Sequence, residues 1–226
     1  FIPSLRRRGK RGGYKFMIKT ETQTGSGVQD QFVDNAKLAE FAAVLRKKYS
    51  LNNRVLFVQS LQFLFESLNI DVIRNRGYYA FPPTGLQYLT KALSGRNLEV
   101  RILDLNYQFL KRVISDYSFN YHSWLDILDD CLNEYRPFIV GVTAISVYTD
   151  VFKPTFPLTS ILNRLRDRDD CIVVAGGPTA TNETENYLKG EFCHFIIEGE
   201  GENKINFLFD HLFDCNQIHK PTSEIY

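Results

Sequence analysis

Three short segments of this chain combine glycines, hydroxyls and carboxylates directly after an apolar run, and such segments can hold a ligand. They are residues 143–148 (Thr-Ala-Ile-Ser-Val-Tyr), 176–181 (Gly-Gly-Pro-Thr-Ala-Thr) and 198–202 (Glu-Gly-Glu-Gly-Glu). Glycine lets the backbone approach a ligand closely, and hydroxyls can hydrogen-bond a phosphate or an amide. Each segment also has a structural interpretation, which stays open: a polar loop, a tight turn whose threonines cap the next helix, or a helix start whose carboxylate complements the dipole.

Segment 198–202 is the least ordinary of the three, and its pattern excludes two kinds of site. Its Gly-x-Gly lacks the third glycine of a dinucleotide fingerprint and follows the last apolar run rather than the first, so a nicotinamide site is excluded. Its three carboxylates have no adjacent His or Asp, so a metal site is not predicted either.

Other catalytic motifs are missing from the sequence. There is no Gly-x-Ser-x-Gly elbow and no Gly-x-x-x-x-Gly-Lys phosphate loop, and the first apolar run ends in Gln59-Ser60 rather than in a phosphoacceptor Asp. The four histidines, of which His194 is predicted to be structural, have no partner at ligand spacing. The sequence therefore shows no machinery for phosphoryl, acyl or hydride transfer.

The cysteines point to a reducing compartment. Cys131, Cys171, Cys193 and Cys215 form neither a Cys-x-x-Cys pair nor the Cys-x-x-x-Cys-x-x-Cys motif that holds an iron–sulfur cluster. We interpret them as buried free thiols of a cytoplasmic protein. No apolar run approaches the roughly 18–20 residues that cross a bilayer, so no membrane partner is expected.

Alternating strands and helices must position the candidate segments. Five apolar runs are typical of buried strands, and helical patterns separate them. After the second run, residues 105–123 are predicted to be a connection that leads to a helix over residues 124–135. The runs cover residues 55–58, 100–104, 138–143, 172–175 and 195–197. We predict an α/β, flavodoxin-like (Rossmann-like) fold: a five-stranded parallel sheet of order 2-1-3-4-5 with helices on both faces. Ligands of such sheets bind beyond the carboxyl ends of the strands, where the three segments should meet.

The first 53 residues are predicted to be an extension with one helix near residues 34–49, and the strands form a domain over residues 54–215. Residues 1–20 carry seven Lys or Arg and no acid, which leaves 20 of the 27 basic residues and all 26 acidic residues to the rest of the chain. Nucleic acid could therefore bind only through residues 1–20. Residues 216–226 are predicted to be a linker.

Five segments in order resemble the cobalamin (vitamin B12)-binding-like N-terminal domain of radical S-adenosylmethionine enzymes. The first two are residues 79–89 (Tyr-Ala-Phe-Pro-Pro-Thr-Gly-Leu-Gln-Tyr-Leu) and 100–104 (Val-Arg-Ile-Leu-Asp). Residues 137–143 (Pro-Phe-Ile-Val-Gly-Val-Thr), 174–181 (Val-Ala-Gly-Gly-Pro-Thr-Ala-Thr) and 198–202 follow. Each motif alone is weak, and the ordered set is fairly specific. The resemblance covers roughly residues 54–226.

The resemblance implies a cofactor site at the strand ends. Its candidate residues are Thr143, Ser146, Val147, Tyr148, Gly176, Gly177, Thr179, Gly199, Glu200, Gly201 and Glu202. It implies cobalamin as the cofactor, in a parent enzyme such as a methyltransferase or a related Fe–S oxidoreductase. That enzyme would also need S-adenosylmethionine, a [4Fe–4S] cluster and a C-terminal barrel. This chain alone is not expected to be catalytic.

The chain departs from the wider family at two places. Classical cobalamin modules carry Asp-x-His-x-x-Gly after the first strand, whereas residues 59–63 here are Gln-Ser-Leu-Gln-Phe, so cobalamin would bind without a protein His ligand. The cluster motif is also absent. The alternative is therefore a degenerate, cofactor-free module of the same fold that acts through protein contacts or, by its basic arm, through nucleic acid.

Overall fold

The computed structural model describes residues 16–18, 35–49, 52–144, 153 and 156–213. Within these residues, six strands form one parallel sheet. They are β1 (Phe16–Ile18), β2 (Arg54–Gln59), β3 (Glu99–Asp104), β4 (Ile139–Thr143), β5 (Ile172–Gly176) and β6 (Phe195–Ile197). The sheet order is β1-β6-β5-β4-β2-β3, so the predicted fold class and the 2-1-3-4-5 order of the five strands are confirmed.

Strand β1 was not predicted. It pairs with β6 at the sheet edge, with Phe16 opposite Phe195. Its three apolar residues lie within a basic, glycine-containing stretch, which gives too short a pattern to indicate a strand. The other residues of the basic stretch 1–20 and the predicted linker, residues 216–226, lie outside the described part of the chain, as does Cys215.

Nine α-helices lie in the described ranges, between and around the strands. They are α1 (Asn35–Lys48), α2 (Ile70–Arg74), α3 (Thr84–Ala92), α4 (Leu105–Ser115), α5 (Asp126–Tyr135), α6 (Pro157–Arg166), α7 (Pro178–Asn182), α8 (Thr184–Lys189) and α9 (Glu202–Leu212). None of these helices is long and apolar enough to cross a membrane.

Helix α4 corrects an expectation, because its residues were assigned to a connection. The carboxylate of Asp104 ends strand β3 and also caps α4, accepting hydrogen bonds from the backbone N–H groups of Asn106 (2.9 Å) and Tyr107 (3.1 Å). Leu105, Phe109, Leu110 and Val113 of this helix are buried. A strand end that is also a helix cap leaves no loop residues to mark the boundary.

The two faces of the sheet have different covers. Alternation along β2 directs Val55, Phe57 and Gln59 to one face and Leu56 and Val58 to the other. The first face packs on α1, α3 and α9, and the second packs on α4, α5 and α6. Helix α1 is thus built into the core of the domain, with the Phe41 ring 5.4 Å from that of Phe195.

The amino-terminal edge of the sheet is held by paired polar groups. The backbone N–H of Val173 donates to Nδ1 of His194 (2.9 Å), so the ring proton is on Nε2, which lies 3.0 Å from the Tyr49 hydroxyl. The Tyr135 hydroxyl donates to the carbonyl of Glu99 (2.6 Å). The structural role predicted for His194 agrees with these contacts.

Candidate functional site

Two rows of side chains cross the sheet near its carboxyl-terminal edge, on the face covered by α3 and α9. Gln59, Thr143 and Gly176 are register partners at the ends of β2, β4 and β5, and Ile197 of β6 continues that row. Phe57, Gly141, Val174 and Phe195 form the second row, two residues earlier in each strand. Because partners in a parallel sheet share a face, each row presents its side chains to α3 and α9.

These rows form the floor of a cleft of about 430 Å³, which we call the slot. The deeper part of the slot is apolar throughout: Phe57, Gly141 and Val174 lie below, and Leu86, Leu89 and Ile205 of α3 and α9 form the walls. Its mouth lies at the strand ends, between residues 81–85 on one side and residues 199–202 on the other. An apolar interior with a polar mouth suits an apolar group attached to a larger polar body outside.

Three glycines of the site have different roles. A Cβ on Gly141 would lie 2.6 Å from the Phe57 ring, so this glycine lets that ring form the floor. Gly177 has φ of +88°, and its Cβ would lie 2.2 Å from Oγ1 of Thr143, so it is required by the turn. A Cβ on Gly176 would meet Ile197 at an ordinary 3.7 Å, so a side chain there would extend into the slot.

A carboxamide and a hydroxyl stand side by side at the mouth. Gln59 is 4% exposed and Thr143 is half-buried, and both line the slot. Within the described ranges, no protein group hydrogen-bonds to either side chain. Neither side chain is among the described polar atoms that are sealed from solvent without a partner, so both groups face the cleft, where a ligand can hydrogen-bond them.

The rim loop, residues 198–201, is held by hydrogen bonds from α7, α8 and α9. The Thr181 hydroxyl donates to the carbonyl of Gly177 (3.0 Å) and accepts from the backbone N–H of Gly199 (2.8 Å), which joins the two glycine turns. Glu198 accepts a hydrogen bond from the Thr184 hydroxyl (2.6 Å), and its carbonyl accepts one from the Lys204 ammonium. The loop is thus positioned by its neighbours, independently of any ligand.

The electrostatic character of the mouth is anionic. Glu200 and Glu202 are exposed and line it. Burial lowers the pKa of Lys204, an effect that the nearby carboxylates of Glu198 and Glu200 oppose. Two carboxylates at the mouth disfavour a phosphate there and favour amide N–H groups or a cation.

Most of the predicted site residues meet at this cleft. Seven of them line it: Thr143, Gly176, Gly177, Gly199, Glu200, Gly201 and Glu202. Thr179 lies inside α7, buried, and donates its hydroxyl to the carbonyl of Ala144 (2.7 Å), so it does not line the slot. Thr181 likewise lies within α7 rather than before it. Ser146, Val147 and Tyr148 lie outside the described residues.

The sequence did not single out the interior of the slot. Phe57, Gly141 and Val174 belong to apolar strands, and the sequence does not distinguish a residue that lines a cleft from one packed in the core. Gln59 was the one available signal, because a polar residue ends an otherwise apolar, buried strand. The aromatic segment before α3 divides in the structure: Phe81 is 80% exposed at the mouth, whereas Tyr78 packs edge-on against Phe63.

The described residues contain no group of three or more His, Cys, Asp or Glu side chains that could hold a metal ion. Comparison with known proteins gave no matching family model, no matching curated protein and no matching solved structure. The geometry of the cleft and the motifs that form it therefore carry the functional argument.

Proposed function

We propose that this chain is the cobalamin-binding domain of a cobalamin-dependent radical S-adenosylmethionine enzyme, such as a methyltransferase or a related Fe–S oxidoreductase. The observation that carries the proposal is the slot: a cleft with an apolar interior whose mouth is formed by the glycine, threonine and glutamate segments of the motif set. Cobalamin has a matching division, because an apolar benzimidazole base hangs from a large, amide-bearing corrin. The ribose-phosphate link between them would have to pass the mouth on the side of Thr143, away from the carboxylates of Glu200 and Glu202.

The residues of the slot fit the base. Phe57 offers an aromatic face, and the missing side chain of Gly176 leaves the entrance open. Two residues along a strand span about 6.6 Å, so the two rows are as deep as a bicyclic ring is long. Burying roughly 150 Å² of apolar surface would contribute about 4 kcal/mol to binding.

The residues of the mouth fit the corrin and its amide side chains. The carboxylates of Glu200 and Glu202 accept hydrogen bonds from amide N–H groups, and Thr143 offers a hydroxyl. Phe81, Pro82 and Pro83 offer apolar contact on the opposite side. When bound, cobalamin supplies a cobalt centre able to carry a methyl group. The chain's own residues bind it, orient it and exclude water from its base.

The experiment is reconstitution with hydroxocobalamin, followed by desalting and a visible absorbance spectrum. We expect the full chain to keep the cofactor colour at micromolar concentration. Gly176→Val should lose it, because the added side chain fills the slot while a β-branched residue suits a strand. Gly176→Ala should retain part of it.

A matched control is Gln87→Val on the exposed outer side of α3, which does not line the slot. It should keep the full colour. A colourless wild-type protein would contradict cofactor binding and favour the cofactor-free module. Equal retention by wild type and Gly176→Val would place the cofactor elsewhere.

A further inference from the structure

We propose that Gln59 selects which corrinoid the slot accepts, by donating a hydrogen bond to a ring nitrogen of the base. The inference rests on the proposed function and extends it to a substrate class. The substrate class is cobamides with an apolar benzimidazole base, and cobamides with a purine base should bind more weakly.

The first step is the state of Gln59 itself. Its side chain lies on the slot face of β2, next to Thr143 in register, and the residue is 4% exposed. The part of the chain that the structure describes provides no hydrogen-bond partner for its carboxamide. Both amide donors are therefore available to whatever enters the slot.

The second step is the contrast between the mouth row and the interior. Gln59 and Thr143 are the polar side chains of the mouth row, and the interior beyond them is lined by Phe57, Val174 and Ile205. A base in this slot can accept a hydrogen bond from Gln59 at a ring nitrogen that lies near the mouth. A polar group further in would lose its water and find no partner.

The third step applies this contrast to the bases of natural corrinoids. A benzimidazole that has left cobalt carries one acceptor nitrogen and an otherwise apolar ring. Adenine carries further ring nitrogens and an amino group, some of which would be buried without partners. We expect adeninylcobamide to bind about tenfold or more weakly than cobalamin, since each buried unpaired group costs a decade or so in affinity.

The test measures the affinity of the full chain for three corrinoids by equilibrium dialysis. They are hydroxocobalamin, adeninylcobamide and cobinamide, which has no base. Gln59→Leu should weaken cobalamin binding about 5- to 20-fold, the value of one hydrogen bond to a buried acceptor, and leave cobinamide binding unchanged. Gln59→Met, an unbranched side chain of equal length, should do the same if Gln59→Leu folds poorly. Gln87→Leu on the outer side of α3 is the matched control and should change nothing.

A second readout separates a ligand contact from a structural role. Because the amide of Gln59 faces the cleft and bonds no described group, replacing it by an apolar side chain should not lower the melting temperature of the ligand-free protein. A lower melting temperature for both Gln59→Leu and Gln59→Met would overturn the inference. So would equal losses of cobalamin and cobinamide, or equal wild-type affinities for cobalamin and adeninylcobamide; in these cases the proposed function stands. If the wild type binds none of the three corrinoids, both the function and the inference fall.

Discussion

The two edges of the sheet use the same kinds of side chain in opposite ways. At the amino-terminal edge, the polar groups of His194, Tyr49 and Tyr135 are buried and hydrogen-bonded within the protein. At the carboxyl-terminal edge, Gln59 is just as buried and has no partner among the described residues, and Gly176 leaves space unfilled. The first arrangement stabilises the fold, and the second leaves polar groups and space available to a ligand.

The comparison predicts different effects of one type of substitution on the free energy of unfolding. Removing a polar side chain should destabilise the protein at the amino edge and should not destabilise the ligand-free protein at Gln59. The variants below test this difference, beginning with the largest expected effect.

His194→Leu should have the largest effect. It removes the acceptor of the Val173 N–H and one of the two partners that the Tyr49 hydroxyl has among the described residues. Leaving the N–H unpaired and the hydroxyl with Lys48 alone should cost about 3 kcal/mol of unfolding free energy. Urea denaturation at neutral pH measures it, with Gln59→Leu as the matched polar-to-leucine variant. A lower free energy of unfolding for both variants, or for neither, would contradict the proposed difference between the edges.

Gly177→Ala should have the next largest effect and lower the free energy of unfolding by about 2 kcal/mol, because alanine is strained at positive φ. Its methyl group would also press on the Thr143 hydroxyl. Gly176→Ala, one residue earlier, should change stability by no more than about 0.5 kcal/mol, as at ordinary surface positions. Equal losses measured by denaturant titration would show that both glycines serve the turn and that neither is reserved for a ligand.

Tyr135→Phe should cost the least, about 1 kcal/mol at pH 8, by removing one hydrogen bond to the carbonyl of Glu99. It also carries a pH signature. Burial raises the pKa of Tyr135 from the ordinary 10.0 to about 12, and burial raises the pKa of Tyr187 as well.

The sign of the pH effect follows from these pKa values. Above pH 10 the unfolded tyrosine loses its proton while folded Tyr135 keeps it, so its stabilising contribution is present below pH 10 and is lost toward pH 12. Lys204 acts in the opposite direction, because burial lowers its pKa. Denaturation from pH 8 to 11.5 should show a shallower alkaline decline for Tyr135→Phe than for wild type. Parallel curves would contradict the role of Tyr135.

The sequence alone predicts the fold class and the strand order. Five apolar runs separated by helical patterns indicate a parallel sheet, and the candidate residues lie at its carboxyl edge. The sequence misses α4, since Asp104 both ends a strand and caps a helix. It also misses the slot. Phe57 and Gly141 look like any buried strand residues, and only the packing of the Phe57 ring over Gly141 makes a floor.

Hydroxyl groups mark the limit of sequence reasoning at this site. Thr143 and Thr179 belong to equally suggestive motifs. Thr143 faces the cleft with no hydrogen-bond partner among the described residues, whereas Thr179 donates its hydroxyl to the carbonyl of Ala144. Which hydroxyl is available depends on three-dimensional neighbours that neither motif specifies.

Hydrogen exchange of the full chain with and without hydroxocobalamin tests the central claim most directly. The account predicts slowed amide exchange in residues 141–143, 176–177 and 199–202, with no change at residues 135–139 and 194 of the opposite edge. Protection confined to the amino edge, or no protection at any of these residues, would contradict it.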